Sequence, residues 1–137
     1  MALLRARESI MAHFRPLLNA HGLTEQQWRI IRALHAHNGL EFHELARIAC
    51  LLPPSLSGML TRLERMALLR RSKRSADQRR LHVALTRAGK SHFKKLSVRM
   101  ELAYQQIELC YGKRQLAVLF SMLHAVRELP PPCRHLK

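Results

Sequence analysis

The segment LLPPSLSGMLTRLERMALL, residues 51–69, limits the possible folds of this chain more than any other stretch. Proline lacks an amide hydrogen and clashes with the preceding turn, so a helix tolerates it in its first turn and nowhere deeper. Pro53-Pro54 therefore breaks the chain and opens a new helix, expected from about Pro54 to Met66. Just upstream, Phe42, Leu45, Ala46 and Ala49 fall on one side of a short helix expected from about Glu41 to Cys50. Two short helices joined by a tight turn form the skeleton of a helix-turn-helix.

From Leu68 onward the period changes. Residues Leu69 to Lys73, and Leu81, Val83 and Leu85, alternate in the manner of strands, with Ser75 to Gln78 as turn residues between them, so a two-stranded hairpin or wing follows the second short helix. Longer helices flank this unit. Leu3, Leu4, Ile10, Met11, Phe14, Leu17 and Leu18 recur at steps of three and four over residues 2–20, where Pro16 is expected to bend or loosen the last turn. Thr24-Glu25-Gln26-Gln27 has the form of a capping box and opens a helix through Trp28, Ile31 and Leu34 that stops at Asn38-Gly39. Thr86 caps a long helix to about Cys110, Tyr111-Gly112 interrupts it, and a last helix spans Lys113 to Leu129. Pro130 to Pro132 end that helix, leaving 130–137 as a tail expected to be disordered. The predicted fold class is thus mainly α, a winged helix-turn-helix between long N- and C-terminal helices, and 137 residues are one domain's worth.

Charge narrows the function. Twenty-four Lys and Arg face nine acids, a net charge of +15, and such self-repulsion points to a polyanionic partner, nucleic acid ahead of an anionic membrane. No apolar run approaches the roughly 20 residues that span a bilayer, and MALLRARESIMAHFRP places arginines inside the one segment resembling a leader, so a cytoplasmic protein is expected. Cys50, Cys110 and Cys133 are odd in number and lack ligand spacing, which argues for structural thiols. No paired carboxylates, phosphate loop or nucleophile elbow suggests an enzyme. His35, His37 and His43 lie close in sequence, yet no carboxylate or cysteine completes a tetrahedral set, and neither metal nor cofactor is expected.

Between Arg62 and Arg80 lie eight basic residues against Glu64 and Asp77. A helix-turn-helix sets its second helix in the major groove, and a hairpin following it can lie along phosphates or reach the minor groove. Pro54, Ser55, Ser57, Gly58, Thr61 and Arg62 on that helix, with Lys73, Arg74 and Arg79 on the wing, are the candidate DNA contacts. Small side chains admit a close backbone, while hydroxyls and arginine bind phosphate. The plain alternative is that Ser55 merely caps and Thr61 faces solvent. Asp77 is either an ordinary turn residue or the carboxylate that aims Arg79 at DNA.

A second constellation suggests a small ligand. At about 100° per residue, Arg7 falls within the apolar arc of the first helix, where a guanidinium must be paired or reach out to water. Arg32 lies one turn beyond Trp28, and Tyr104 sits beside Met100 and Ile107. With Met11 and Phe14, these groups would suit a small planar aromatic carboxylate: rings for its faces, arginine for its oxygens. On the plain alternative Trp28 is core and Arg7 pairs with a glutamate across a dimer.

The winged arrangement, the helix PPSLSGMLTRLERMALL and the pattern D-Q-R-R-x-x-V-x-L-T-x-x-G from Asp77 to Gly89 resemble the multiple antibiotic resistance regulator (MarR) family over residues 3–129. LTEQQWRIIRAL, FHELARIACLLPPSLSGMLTRLER and DQRR resemble its branch of homoprotocatechuate-degradation and fatty-acid-resistance repressors. The resemblance implies a homodimeric repressor on a pseudo-palindromic operator. Residues 2–20 and 86–129 would be dimerisation helices, 24–85 the DNA-binding lobe, Pro54 to Met66 the recognition helix, and Arg79 part of the wing. Gln78 departs from the pattern, because many members carry arginine there, and minor-groove contact would then fall to Arg74 or Arg79. The resemblance also implies an effector such as a hydroxyphenylacetate or hydroxynicotinate, with Trp28, Arg32 and Tyr104 lining its pocket and Arg7 and Met11 nearby. The rival classes are a redox- or metal-responsive repressor, acting through Cys50 or His43, and a sequence-independent DNA binder.

Overall fold

The computed structural model describes residues 1–73 and 81–129. In chain order these form α1 (Ala2–Ala20), α2 (Glu25–His37), β1 (Leu40–Glu41), α3 (Phe42–Ile48), α4 (Pro53–Arg65), β2 (Leu69–Lys73), β3 (Leu81–Leu85), α5 (Arg87–Tyr111) and α6 (Lys113–Arg127). The chain divides into two compact units, Met1–Glu101 and Leu102–Lys137.

Local chemistry accounts for the boundaries in the first unit. Thr24 closes the predicted capping box: its hydroxyl accepts from the Gln27 amide at 3.3 Å, and the Gln27 side-chain oxygen accepts from the Thr24 amide at 2.9 Å. Gln27 is buried, and this exchange satisfies its carbonyl there. Asn38 ends α2 in the left-handed region at φ 54°, which its short polar side chain tolerates. Pro16 does not end α1, which continues to Ala20. At α4 the prolines occupy the first helical positions, one residue earlier than the sequence suggested.

The wing differs from the two-stranded hairpin read from the sequence. A third strand, β1, pairs antiparallel with β3, Leu40 opposite Val83 and Glu41 opposite His82, giving the order β1-β3-β2. Two residues between Gly39 and Phe42 are too few to display a period of two. Their conformation comes from pairing with a strand some 40 residues away, to which no local pattern points. α3 is also shorter than expected, because Cys50 adopts φ 50° and the Leu51 amide returns to the Ala46 carbonyl at 2.9 Å.

The core of this unit gathers Leu18, Ile31, Leu34, Leu45, Leu56, Leu60, Leu63, Val83 and Leu96, all essentially inaccessible. Each contributes on the order of 2 kcal/mol through area removed from water. α5 joins this core through an unusually close approach at its first turn. The Thr86 hydroxyl accepts from the Gly89 amide at 3.0 Å and donates to the Ala67 carbonyl at 2.7 Å, while the Thr86 amide bonds the Leu68 carbonyl. A β-carbon on Gly89 would lie 1.9 Å from that Leu68 oxygen.

In the second unit α6 begins after Gly112, at φ 98°, and buries none of its residues. Val118, Phe120, Met122 and Val126 are all exposed along it. Among the described residues no helix is long and apolar enough to cross a membrane.

Gly89→Ala is expected to lower stability by about 3 kcal/mol, since α5 must move off the Leu68 carbonyl to admit a methyl group. Thermal unfolding of the variant checks this, and an unchanged melting temperature would show that the close approach does not hold.

Candidate nucleic-acid interface and effector site

α4 has two faces. Leu56, Leu60 and Leu63, spaced by four and three, are completely buried. Pro54, Ser55, Ser57, Gly58 and Arg62 are exposed, Thr61 is half-buried, and Arg65 extends the exposed row by one turn. The Thr61 hydroxyl donates to the Ser57 carbonyl at 3.2 Å, which fixes its rotamer on the outer side. Gly58 is the informative member. A β-carbon there would meet nothing within 4 Å, so no packing inside the chain requires glycine. Glycine in a helix interior nevertheless costs about 1 kcal/mol relative to alanine. A missing side chain at this position leaves the backbone of the outer face open to approach.

The wing is tied to this helix by charge. Arg71 of β2 donates through Nε to the Glu64 carboxylate of α4 at 2.9 Å, with a second bond through its other guanidinium nitrogen. The hydrogen bond from Arg71 holds the Glu64 carboxyl below the usual carboxylate range. Arg70 of the same strand is exposed. Lys73 ends β2; its side chain, and Arg74, Asp77, Gln78 and Arg79, lie outside the described residues.

The six effector candidates do not share one environment. Phe14 and Trp28 are buried. The Trp28 indole stacks on Phe93 of α5 at 5.4 Å between centroids, and Phe93 also stacks on His35 at 3.8 Å. Phe93 was not singled out from the sequence, although with Leu96 and Met100 it follows the three- and four-residue steps of a buried helix row. Met11 is half-buried. Tyr104 belongs to the second unit and is exposed.

Arg7, expected on its arc to be paired or to reach out to water, does both: its side chain is 48% exposed, bonded to Glu8 at 2.7 Å and to Glu25 of α2. Arg15 bridges the same two acids at 2.5 and 2.6 Å. The first turns of α1 are uncovered in the single chain, with Leu3 and Leu4 exposed. The glutamate also lies in the same chain rather than across a dimer. Burial pushes the Glu25 carboxyl up, but hydrogen bonds from Arg15 and Arg7 outweigh it and hold the group below the usual range.

Arg32 is exposed and lines a cleft of about 370 Å³ with Arg29, Ala33, Ala36, His37, Ile48, Ala49 and Cys50; Trp28 is not in its lining. Among the described residues Arg32 has no acidic partner. Cys50 and Cys110 are exposed free thiols, and Cys133 lies outside the described residues. No group of three or more metal-ligating side chains comes together among the described residues, and His35 is occupied by Phe93.

An exposed small and basic face on the second of two short helices, followed directly by an antiparallel hairpin, defines a winged helix-turn-helix DNA-binding protein. Residues 23–81 match the MarR family. The homoprotocatechuate degradative operon repressor of Escherichia coli is 45% identical over 123 residues, covering 90% of this chain and 83% of that protein. The crystallised transcriptional regulator PA4135 matches with a TM-score of 0.89 at 47% identity, covering 95% of this chain and 96% of that one. NadR in complex with 4-hydroxyphenylacetate matches at 0.80 and 40%, covering 94% and 92%. The chain belongs to the MarR family of transcriptional regulators. The repressor and PA4135 are regulators rather than enzymes.

Gly58→Ala is expected to raise stability by about 0.5–1 kcal/mol and yet weaken DNA binding. Melting curves and fluorescence anisotropy, on a duplex that the wild type selects from random sequences, check both; undiminished affinity would remove the close backbone approach. Glu25→Gln is expected to lower stability at pH 7 by about 1 kcal/mol, discounted because both arginines are substantially exposed. Since the folded-state pKa of Glu25 is depressed, its contribution is present above the unfolded value and lost as pH falls through the folded one. Urea unfolding of both proteins should therefore converge as pH falls below the ordinary carboxylate range; a constant gap would show that the charge is not responsible.

Proposed function

We propose that this chain is a homodimeric, cytoplasmic repressor that occupies a pseudo-palindromic operator and releases it when a small monocyclic aromatic carboxylate binds. The observation that carries the DNA half is the outer face of α4, where Gly58 has open space above it and Arg62 and Arg65 project to solvent. Lys73, Arg74 and Arg79 supply the wing's contacts to phosphate or minor groove, with Asp77 positioning Arg79 and Gln78 standing where many relatives place arginine. A dimer is supported by the uncovered apolar side chains of α6 and of the start of α1, which water disfavours.

The effector half rests on chemistry and on two relatives. One represses a homoprotocatechuate degradative operon, and NadR is seen with 4-hydroxyphenylacetate. Both compounds are monocyclic aromatic acids, and Arg32 offers such an acid a guanidinium that no carboxylate of the described chain has claimed. Trp28, Phe14 and Met11 shape the apolar surroundings of the first unit, and Tyr104 and Arg7 complete the proposed set. The controlled genes would degrade the same compound. Release is a population shift: the acid binds better to a dimer whose recognition helices no longer match half-sites about one helical turn apart. A coupling of about 1–3 kcal/mol is ordinary for such a switch.

Titrating 4-hydroxyphenylacetate, homoprotocatechuate, nicotinate and hydroxynicotinate into the protein–operator complex tests the reading. At least one acid should release the DNA. Arg32→Ala should keep operator affinity and lose the release; a normal response in that variant would remove Arg32 as the anchor, and silence across the panel would remove the aromatic effector.

A further inference from the structure

We infer that Leu52, at the tip of α4, reads the 5-methyl group of a thymine in the major groove and so fixes one base pair of each operator half-site. This rests on the reading of α4 as the helix that enters DNA, and adds to it a residue and the base it selects.

Nothing inside the chain asks for leucine at this position. Leu52 is the N-cap of α4, where Ser, Thr, Asp or Asn would accept from a free amide of the first turn, and it makes no such bond. Its side chain is also left in water: the residue is 74% exposed, while Leu51 before it is half-buried and Leu56 after it is completely buried. A solitary exposed leucine is ordinary. This one is continuous with Pro53 and Pro54, both exposed, so the recognition helix begins with an apolar tip of three residues. The proline rings lock φ, and a tip that is already rigid has little freedom to lose on binding.

The chemistry of the tip limits what it can meet. A helix start usually offers free amides to phosphate. Pro53 and Pro54 have no N–H, so the first two helical positions of α4 present carbon instead of donors, and the Leu52 carbonyl is taken by the Leu56 amide at 3.0 Å. Arg62 and Arg65 on the same helix, in a chain of net charge +15, favour a polyanion over an apolar protein as the surface that covers it. From the tip, Ser55, Gly58 and Arg62 continue an exposed row at steps of three and four, so tip and row can share one groove. The first residues of a recognition helix are the ones that reach base edges. Along the major groove those edges are hydrogen-bond donors and acceptors, and the apolar group among them is the thymine methyl. Leucine supplies the surface that matches it.

Deoxyuridine differs from thymidine by the methyl group alone, which isolates the contact. The full chain selects its duplex from random sequences, each thymine of the selected half-site is replaced in turn by deoxyuridine, and affinity is read by fluorescence anisotropy. At one thymine the replacement should weaken binding about fourfold for each methyl lost. Leu52→Ala should bind the thymine duplex as weakly as the wild type binds the deoxyuridine one, and should no longer distinguish the two. Leu52→Ser should also lose the distinction while raising the melting temperature, because serine supplies the missing cap; the melting curves show that both variants fold. A half-site without thymine, indifference of the wild type to every replacement, or a Leu52→Ala variant that still distinguishes the duplexes would overturn the thymine contact and leave DNA binding by α4 standing. Failure to select any duplex from the random pool would overturn both.

Discussion

Burial of Leu56, Leu60 and Leu63 is the interaction from which the interface follows. Three leucines on one stripe fix the rotation of α4 about its own axis, and rotation decides which residues a partner meets. A shift of one residue, about 100°, would carry Gly58 and Arg62 toward the core and bring leucine to the surface. At on the order of 2 kcal/mol per buried leucine, that alternative is excluded by several kcal/mol. The outer side of α4 is therefore held in place by hydrophobic burial on the opposite side, and it can carry exposed glycine, serine and arginine.

The distribution of acids extends this division. Glu8 and Glu25 are committed to Arg7 and Arg15, Glu64 to Arg71, and Glu128 to Arg127. Arg62 and Arg65 on the outer side of α4 have no ion pair among the described residues. With only nine acids against twenty-four lysines and arginines, pairing near α1 and at the α4–β2 junction leaves the outer cations for an external polyanion. On a DNA duplex, cations of this kind give affinity without sequence preference through counterion release, whereas sequence is read only by groups that reach the base edges.

Much of this was legible in the sequence because its causes are local. Proline chemistry at 53 and 54, the Thr24–Gln27 exchange, Asn38 at the end of α2 and Thr86 at the start of α5 each act within four residues, and each falls within a residue or two of the expected place. What escaped has non-local causes. β1 exists because β3 pairs with it, Arg7 finds its partner in Glu25 of another helix, and Trp28 meets Phe93 only through the packing of α5 on α2. The left-handed Cys50 is a different failure. Glycine or asparagine would have signalled that conformation, and cysteine does not.

That last case bears on where a switch can be built. A non-glycine residue in the left-handed region costs about 1–3 kcal/mol and persists only where its surroundings hold it. At Cys50 the holding groups are the Arg47 carbonyl on its amide and Arg29 on its own carbonyl. The first belongs to the turn and cannot be removed without unwinding α3; the second comes from a side chain of α2 that can find another acceptor. Arg71 of β2 is a fixed contact by comparison, since it is already bonded to a carboxylate and a second one would gain little by displacing it.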